Sequence, residues 1–348
     1  MSIDSKRRLD WADVAKGIGI ILVIAGHSIR DGGALFEIIF KLIYAFHMPL
    51  FFSISGFFFS RLNFEKAIGK FVKKKITTQL KPFLMYSLLI WGIFRIAYFV
   101  PLLRSILSSA GMNLYGFLDY IKLMLLGDNP YAFHLWYLWV LFLMSVMFYI
   151  ICHYAKKIGI NCFMSCWVIA FVFWSIRMLA VYHAPNGIMT FLRYSIFFVA
   201  GMRIPCIVGF KQKGINYLIA CVSVIYWGWH TLLKNHSYGK YGDYFMNMLQ
   251  LLSVFVLIWL IIQFSKKLQH NYFLQYIGKN SMIVYMFHQP FFCAFVGILV
   301  GRILGLSSVF VFFISMVCGL LFPLLIIEIS KRHETIKKIL TFFFSITV

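Results

Sequence analysis

Residues 12–30 read ADVAKGIGIILVIAGHSIR. Between Asp13 and Lys16 at one end and His27 and Arg30 at the other, the segment is apolar and long enough to cross a bilayer core of roughly 30 Å. The next run, 36–59, is FEIIFKLIYAFHMPLFFSISGFFF. Eight more follow at 82–103, 134–154, 160–181, 188–209, 215–233, 244–265, 274–300 and 307–329. A β-barrel would show shorter segments of alternating polarity instead. The expected fold is an all-α integral membrane protein, a bundle of about ten transmembrane helices. It is read as a single domain over 1–348 with no separate soluble domain.

Composition points the same way. Of 348 residues, 61% are apolar and 13% charged, against about 25% charged in an ordinary soluble chain. The mean hydropathy is +0.84. So few charges cannot cover this much apolar surface in water. Thirty-three Lys and Arg oppose 11 Asp and Glu, a net charge of +22. In a soluble protein that balance would indicate nucleic acid; in a membrane protein it reflects basic cytoplasmic loops. The seven cysteines fall mostly within apolar runs and form no Cys-x-x-Cys pair, so neither a zinc site nor a disulfide framework is expected. The basic start Lys6-Arg7-Arg8 leads into the first run without a small-residue cleavage site, and that run is read as a retained span.

The basic residues also set an orientation. One side receives Lys6 to Arg8, Arg61 to Lys81, Lys156 and Lys157, Arg203, Lys211 and Lys213, Lys266 and Lys267, and Lys331 to Lys338. The other receives only Arg30, Arg104, Lys122, Lys234, Lys240 and Arg302. The rule that basic loops stay inside then places both termini in the cytoplasm. The longest outer connection, near 104–133, has room for a short interfacial helix.

Ionisable groups inside spans are costly and mark function. Asp13, Glu37 and Glu328 sit near span ends, which argues against a proton-coupled pump. Histidine lies deeper: His27, His47 and His288. A neutral imidazole tolerates burial and still accepts a proton. Lys16 and His27 are eleven residues apart, about 20° past three full turns and roughly 16 Å along the axis. With Asp13 they form one polar stripe, and Gly17, Gly19 and Gly26 permit close approach of a neighbour. The plainer alternative is a snorkelling lysine beside an unrelated histidine. His47-Met-Pro49 and His288-Gln-Pro290 repeat a His-x-Pro pattern, predicting helix breaks that line a polar cavity. Lys73, Lys74, Lys75 and Lys81 precede Pro82, read as the start of the third span. They anchor the chain to anionic headgroups or bind phosphate, and the loop alone favours neither.

Together, Lys16-Gly17…Gly26-His27, FHMPLFFSISGFFF (46–59), the basic run before Pro82, HLWYLWVLF (134–142) and YIGKNSMIVYMFHQP (276–290) resemble the integral-membrane acyltransferase family 3. The nearest likeness is to its fucose 4-O-acetylase-like, polysaccharide O-acetyltransferase branch, over nearly the whole chain. The resemblance implies ten transmembrane helices, acetyl-CoA as donor, and O-acetylation of an envelope carbohydrate in the bacterial plasma membrane. Relatives carry Arg eleven residues before the first-span histidine and an Arg-x-Arg pair after the second span. Here Lys16 stands instead of the first, and Lys73-x-Lys75 or Lys74-Lys75 instead of the pair, keeping charge but not planar hydrogen bonding.

The resulting expectations are specific. His27, His47 and Asp13 are the catalytic candidates, with His27 as general base or transient acyl carrier. Lys16, Lys73, Lys74, Lys75 and Lys81 would hold the phosphates of CoA. His288, Asn280, Ser281, Trp136 and Ser55 would contact the acceptor, with His47 and His288 alternatively steadying the oxyanion. The expected partners are acetyl-CoA, a carbohydrate acceptor (free or lipid-linked) and membrane lipids, with no metal and no nucleic acid. A lipid-linked glycan flippase also fits ten spans but needs no CoA. A glycan polymerase would call for a larger outer loop.

Overall fold

A computed structural model describes residues 9–29, 33–109, 112–179, 184–208, 214–233 and 239–345. Lys6, Arg7, Arg8, Arg30, Lys211, Lys213 and Lys234, used in the orientation, lie outside these residues. Everything described is helix, turn or coil, without strands. The helical segments are α1 (Asp10–Ser28), α2 (Gly33–Ser60), α3 (Ile68–Ala97), α4 (Phe133–Lys157), α5 (Cys162–Leu179) and α6 (Asn186–Cys206). They continue with α7 (Gly214–Leu233), α8 (Gly239–Lys267), α9 (Tyr272–Lys279), α10 (Ser281–Gly301), α11 (Ser308–Arg332) and α12 (Glu334–Phe344). Among the described residues nine are long and apolar enough to span a membrane, and α7 adds the shorter apolar stretch Leu218–Leu232. The chain is a multi-pass membrane protein.

Two compact units divide the chain. The first comprises Met1–Asn63, Phe163–Ala180 and Arg193–Leu324. In it α1 packs against α2, α8 and, most intimately, α9. Its Ala12, Val14, Ala15, Ile20 and Ile24 are completely buried. The α1–α9 approach is made at glycine: a side chain on Gly17 would strike the carbonyl of Leu274, and one on Gly278 the carbonyl of Asp13. Small residues let backbones meet this closely, which replaces the hydrophobic drive that lipid removes. Gly56 and Gly201 do the same between α2 and α6, against the carbonyls of Phe198 and Ser53.

The second unit comprises Phe64–Cys162, Val181–Leu192 and Leu325–Val348. Here α3 packs on α4 and α12 on α3. Phe71 stacks on Tyr149 at 3.9 Å, the Tyr149 hydroxyl donates to the Lys66 carbonyl at 3.0 Å, and Lys156 pairs with Glu65 at 2.8 Å. That bridge holds Glu65 below the usual carboxylate range, chiefly through its hydrogen bond to Lys156. Buried Asn129 bonds Tyr120, Ser87 and the backbone of Tyr131 and Ala132, so no polar atom of its amide is wasted on an apolar wall.

Several expectations are corrected. The stretch Arg61–Lys81 is not a loop, since helix begins at Ile68 and runs through Lys73, Lys74, Lys75 and Lys81. A π-helical turn, Ile76–Leu80, precedes Pro82 and lets the ladder pass a residue that lacks its N–H. The third span ends at Ala97, and the connection after it, read as outer, carries two short helices, Pro101–Ser109 and Phe117–Leu125, rather than one. The ninth run divides at Asn280 into α9 and α10. Within α10 the backbone leaves helix at Gln289 (φ −119°, ψ 152°), as the His-x-Pro pattern predicts. At Pro49, by contrast, α2 stays continuous. Cys152 and Cys162 form a disulfide across the α4–α5 turn, their Cα atoms 4.8 Å apart. A ten-residue spacing escapes a search for Cys-x-x-Cys.

Candidate active site

Three helices of the first unit bring the buried histidines together. His27 lies in the last turn of α1, Tyr44 and His47 share one face of α2 at i and i+3, and His288 sits where α10 breaks. The His27 and His288 ring centroids are 5.3 Å apart. The Tyr44 hydroxyl is 3.2 Å from His27 Nδ1, and the Tyr44 ring meets His47 edge-on at 5.0 Å. The order is therefore His288, His27, Tyr44, His47. His47 and His288 are buried, whereas His27 is half-buried.

Hydrogen bonding fixes which nitrogen of each outer histidine is basic. His47 Nδ1 lies 2.7 Å from the Ile43 carbonyl. His288 Nδ1 lies 2.8 Å from the carbonyl of Tyr285 and 3.1 Å from that of Val284. A carbonyl only accepts, so Nδ1–H donates in both and the neutral rings carry their lone pair on Nε2. Neutral His47 and His288 therefore accept protons and cannot donate Nε2–H to an oxyanion. That revises the oxyanion role expected for them, which would require the imidazolium. The Tyr44 hydroxyl, opposite His27, can donate and accept through its single oxygen.

Tyr44 escaped the sequence reading. Its signal was present: an aromatic hydroxyl one turn before His47, on the same face. Replacing it with Phe keeps the ring, which stacks on Phe40 at 4.0 Å, and removes only the bond to His27. One such bond is worth about 1 kcal/mol, so Tyr44→Phe is expected to slow any step in which His27 takes a proton by roughly fivefold to tenfold. Steady-state kinetics on protein of unchanged elution profile checks this.

The other candidates are more scattered. Asp13, buried, pairs with Lys16 at 2.7 Å, and the Lys16 ammonium stands 5.8 Å from the Phe58 ring. Asp13 precedes His27 by 14 residues, roughly 21 Å along α1, so its carboxylate does not reach that imidazole. Its place is beside Lys16. Asn280 turns its amide to the Tyr276 carbonyl at 2.8 Å, and Ser281 opens α10. Ser55 is half-buried on α2. Trp136, half-buried, begins the α-helical part of α4 in the second unit. Of the α3 lysines, Lys75 covers Phe71 at 5.5 Å and Lys81 covers Phe342 at 4.5 Å, a use of charge that needs no phosphate. Lys73 and Lys74 are exposed.

Comparison with known proteins adds three findings. Residues 9–328 match the family model described as an acyltransferase domain. A stretch of 85 residues is 41% identical to the nodulation protein NolL of Mesorhizobium japonicum, covering 23% of this chain and 23% of that protein. No solved structure matches.

Proposed function

The chain belongs to the acyltransferase family whose model spans residues 9–328, and from that premise we propose that it carries an acetyl group from acetyl-CoA to a hydroxyl of a cell-envelope carbohydrate at the bacterial plasma membrane. The observation that supports this most is His27, half-buried, with Tyr44 on its Nδ1 and the His288 ring against it.

In this reading His27 Nδ1–H donates to the Tyr44 oxygen, which leaves Nε2 as general base. Nε2 takes the proton of the acceptor hydroxyl as that oxygen attacks the thioester carbonyl. Collapse of the tetrahedral intermediate breaks the carbon–sulfur bond, and the imidazolium returns its proton to the departing CoA thiolate. Tyr44 orients the ring and disperses the transient positive charge, a part that other enzymes give to a carboxylate. Lysine cations would read the phosphates of the donor, with the exposed Lys73 and Lys74 the first to test.

Purified protein given acetyl-CoA and envelope glycans should release free CoA only when an acceptor is present. Acetylated glycan formed without CoA release would overturn the donor assignment. A Lys73→Gln, Lys74→Gln pair should raise the apparent KM for acetyl-CoA roughly tenfold, since charge-assisted contacts are lost from a salt-screened surface. If those lysines only anchor the helix to headgroups, donor KM stays fixed while membrane insertion falls.

A further inference from the structure

Within the first unit, away from the histidines, lies a cavity of about 230 Å³. Phe163 and Trp167 of α5, Ala200 and Arg203 of α6, and Phe255 and Trp259 of α8 form most of its wall. Ser53 reaches it from α2, but its hydroxyl donates to the Phe197 carbonyl at 3.0 Å. A water needs two to four polar partners, and this wall does not provide them. The space, several times the ~30 Å³ share of one water, therefore suits hydrocarbon.

The mouth has a different character. Arg203 is exposed, its guanidinium 4.1 Å from the centroid of Phe163. Its hydrogen-bond partner is the Cys206 sulfur at 3.9 Å, a weak acceptor. No Asp or Glu occurs between Asp128 and Asp243 in the chain, and among the described residues no ion pair includes Arg203. A guanidinium lying on a ring keeps its edge donors free for an oxyanion. The α8 wall, Phe255, Ile258 and Ile262, continues at the next i+4 position to Lys266. Hydrocarbon depth thus ends in positive charge.

We propose that this cavity is a lipid site: one acyl chain of an anionic membrane phospholipid fills it, and the lipid phosphate rests on Arg203. The occupant follows from charge complementarity and from supply, since phospholipid is the solvent around α5 and α8. Basic residues at the surface prefer anionic headgroups by about fivefold each. The apolar wall selects for a chain, so free phosphate would not be held.

Trp167 and Trp259 make the site directly readable. In nanodiscs, phosphatidylglycerol with brominated chains should quench tryptophan emission more strongly than the phosphatidylcholine counterpart, at roughly fivefold lower mole fraction. A Trp167→Phe, Trp259→Phe variant should lose that extra component. Arg203→Gln should equalise the two lipids, and Arg203→Lys should keep the preference for the anionic one. Ala200→Phe, filling the cavity, should protect both tryptophans from either lipid. Equal quenching by the two lipids in the wild type would overturn the proposal, as would a preference that survives Arg203→Gln. Because none of these residues has a part in the proposed acyl transfer, failure here leaves that reading intact.

Discussion

Replacing His27 with alanine is expected to lower acyl transfer by about 10²–10⁴-fold and leave a folded membrane protein. The ring sits at the last turn of α1, so its loss removes one contact to Tyr44 of α2 and one to His288 of α10, while the close backbone approach of α1 to α9 at Gly17 and Gly278 is untouched. General-base removal acts on the chemical step alone, so acetyl-CoA should still bind with near-normal affinity. The measurement is acceptor-dependent CoA release beside donor affinity and elution profile, all on the same preparation. Wild-type turnover by a well-folded His27→Ala protein would sink the assignment. His288→Ala offers a contrast. Its Nδ1 is committed to the α10 carbonyls, so its loss should disturb the helix break as well as the rate.

Much of this architecture was legible because lipid leaves a chain few options. Backbone groups must pair within helices, so runs of about 20 apolar residues map onto spans almost directly. The polar residues inside them are few enough to be noticed one by one. His27, His47 and His288 stood out for that reason, and the structure gathers all three, with His27 between its partners.

What stayed hidden depended on packing between helices. Tyr44 resembles many other aromatics in a chain with 19 tyrosines, and only the approach of α1 to α2 gives its hydroxyl a partner. The first part of the helix over Ile68–Ala97, from Ile68 to Lys81, was masked by its lysines, by Thr77 and Thr78, and by Pro82, which was read as the start of the span. It persists because the π turn absorbs the proline, and the Thr77 and Thr78 hydroxyls are satisfied locally on the carbonyls of Lys73 and Lys74. The axial distance from Asp13 to His27, by contrast, follows from residue spacing alone, and it sets Asp13 apart from the histidine although the two share a stripe. Roughly 21 Å separates Asp13 from the imidazole.

The glycines yield the second large effect, and its sign depends on the space around each one. Gly278 belongs to the Gly278-Lys279-Asn280-Ser281 segment, and a Cβ there would land on the carbonyl of Asp13, which is backbone and cannot swing aside. Gly17, on the opposite helix, meets the carbonyl of Leu274 in the same way. Gly278→Leu should therefore push α9 off α1, at a cost on the order of 3 kcal/mol or more. It would also disturb the Asp13–Lys16 pair beside the contact. The expected result is a melting temperature in detergent lowered by many degrees, or protein that fails to elute as a single species. Gly92→Ala is the control, since nothing lies within 4 Å of its added carbon and it sits inside α3. Alanine there relieves the conformational cost of an interior helical glycine, about 0.5–1 kcal/mol, so stability should hold or rise. Should Gly278→Leu melt like the wild type, the close α1–α9 contact at Gly17 and Gly278 is wrong.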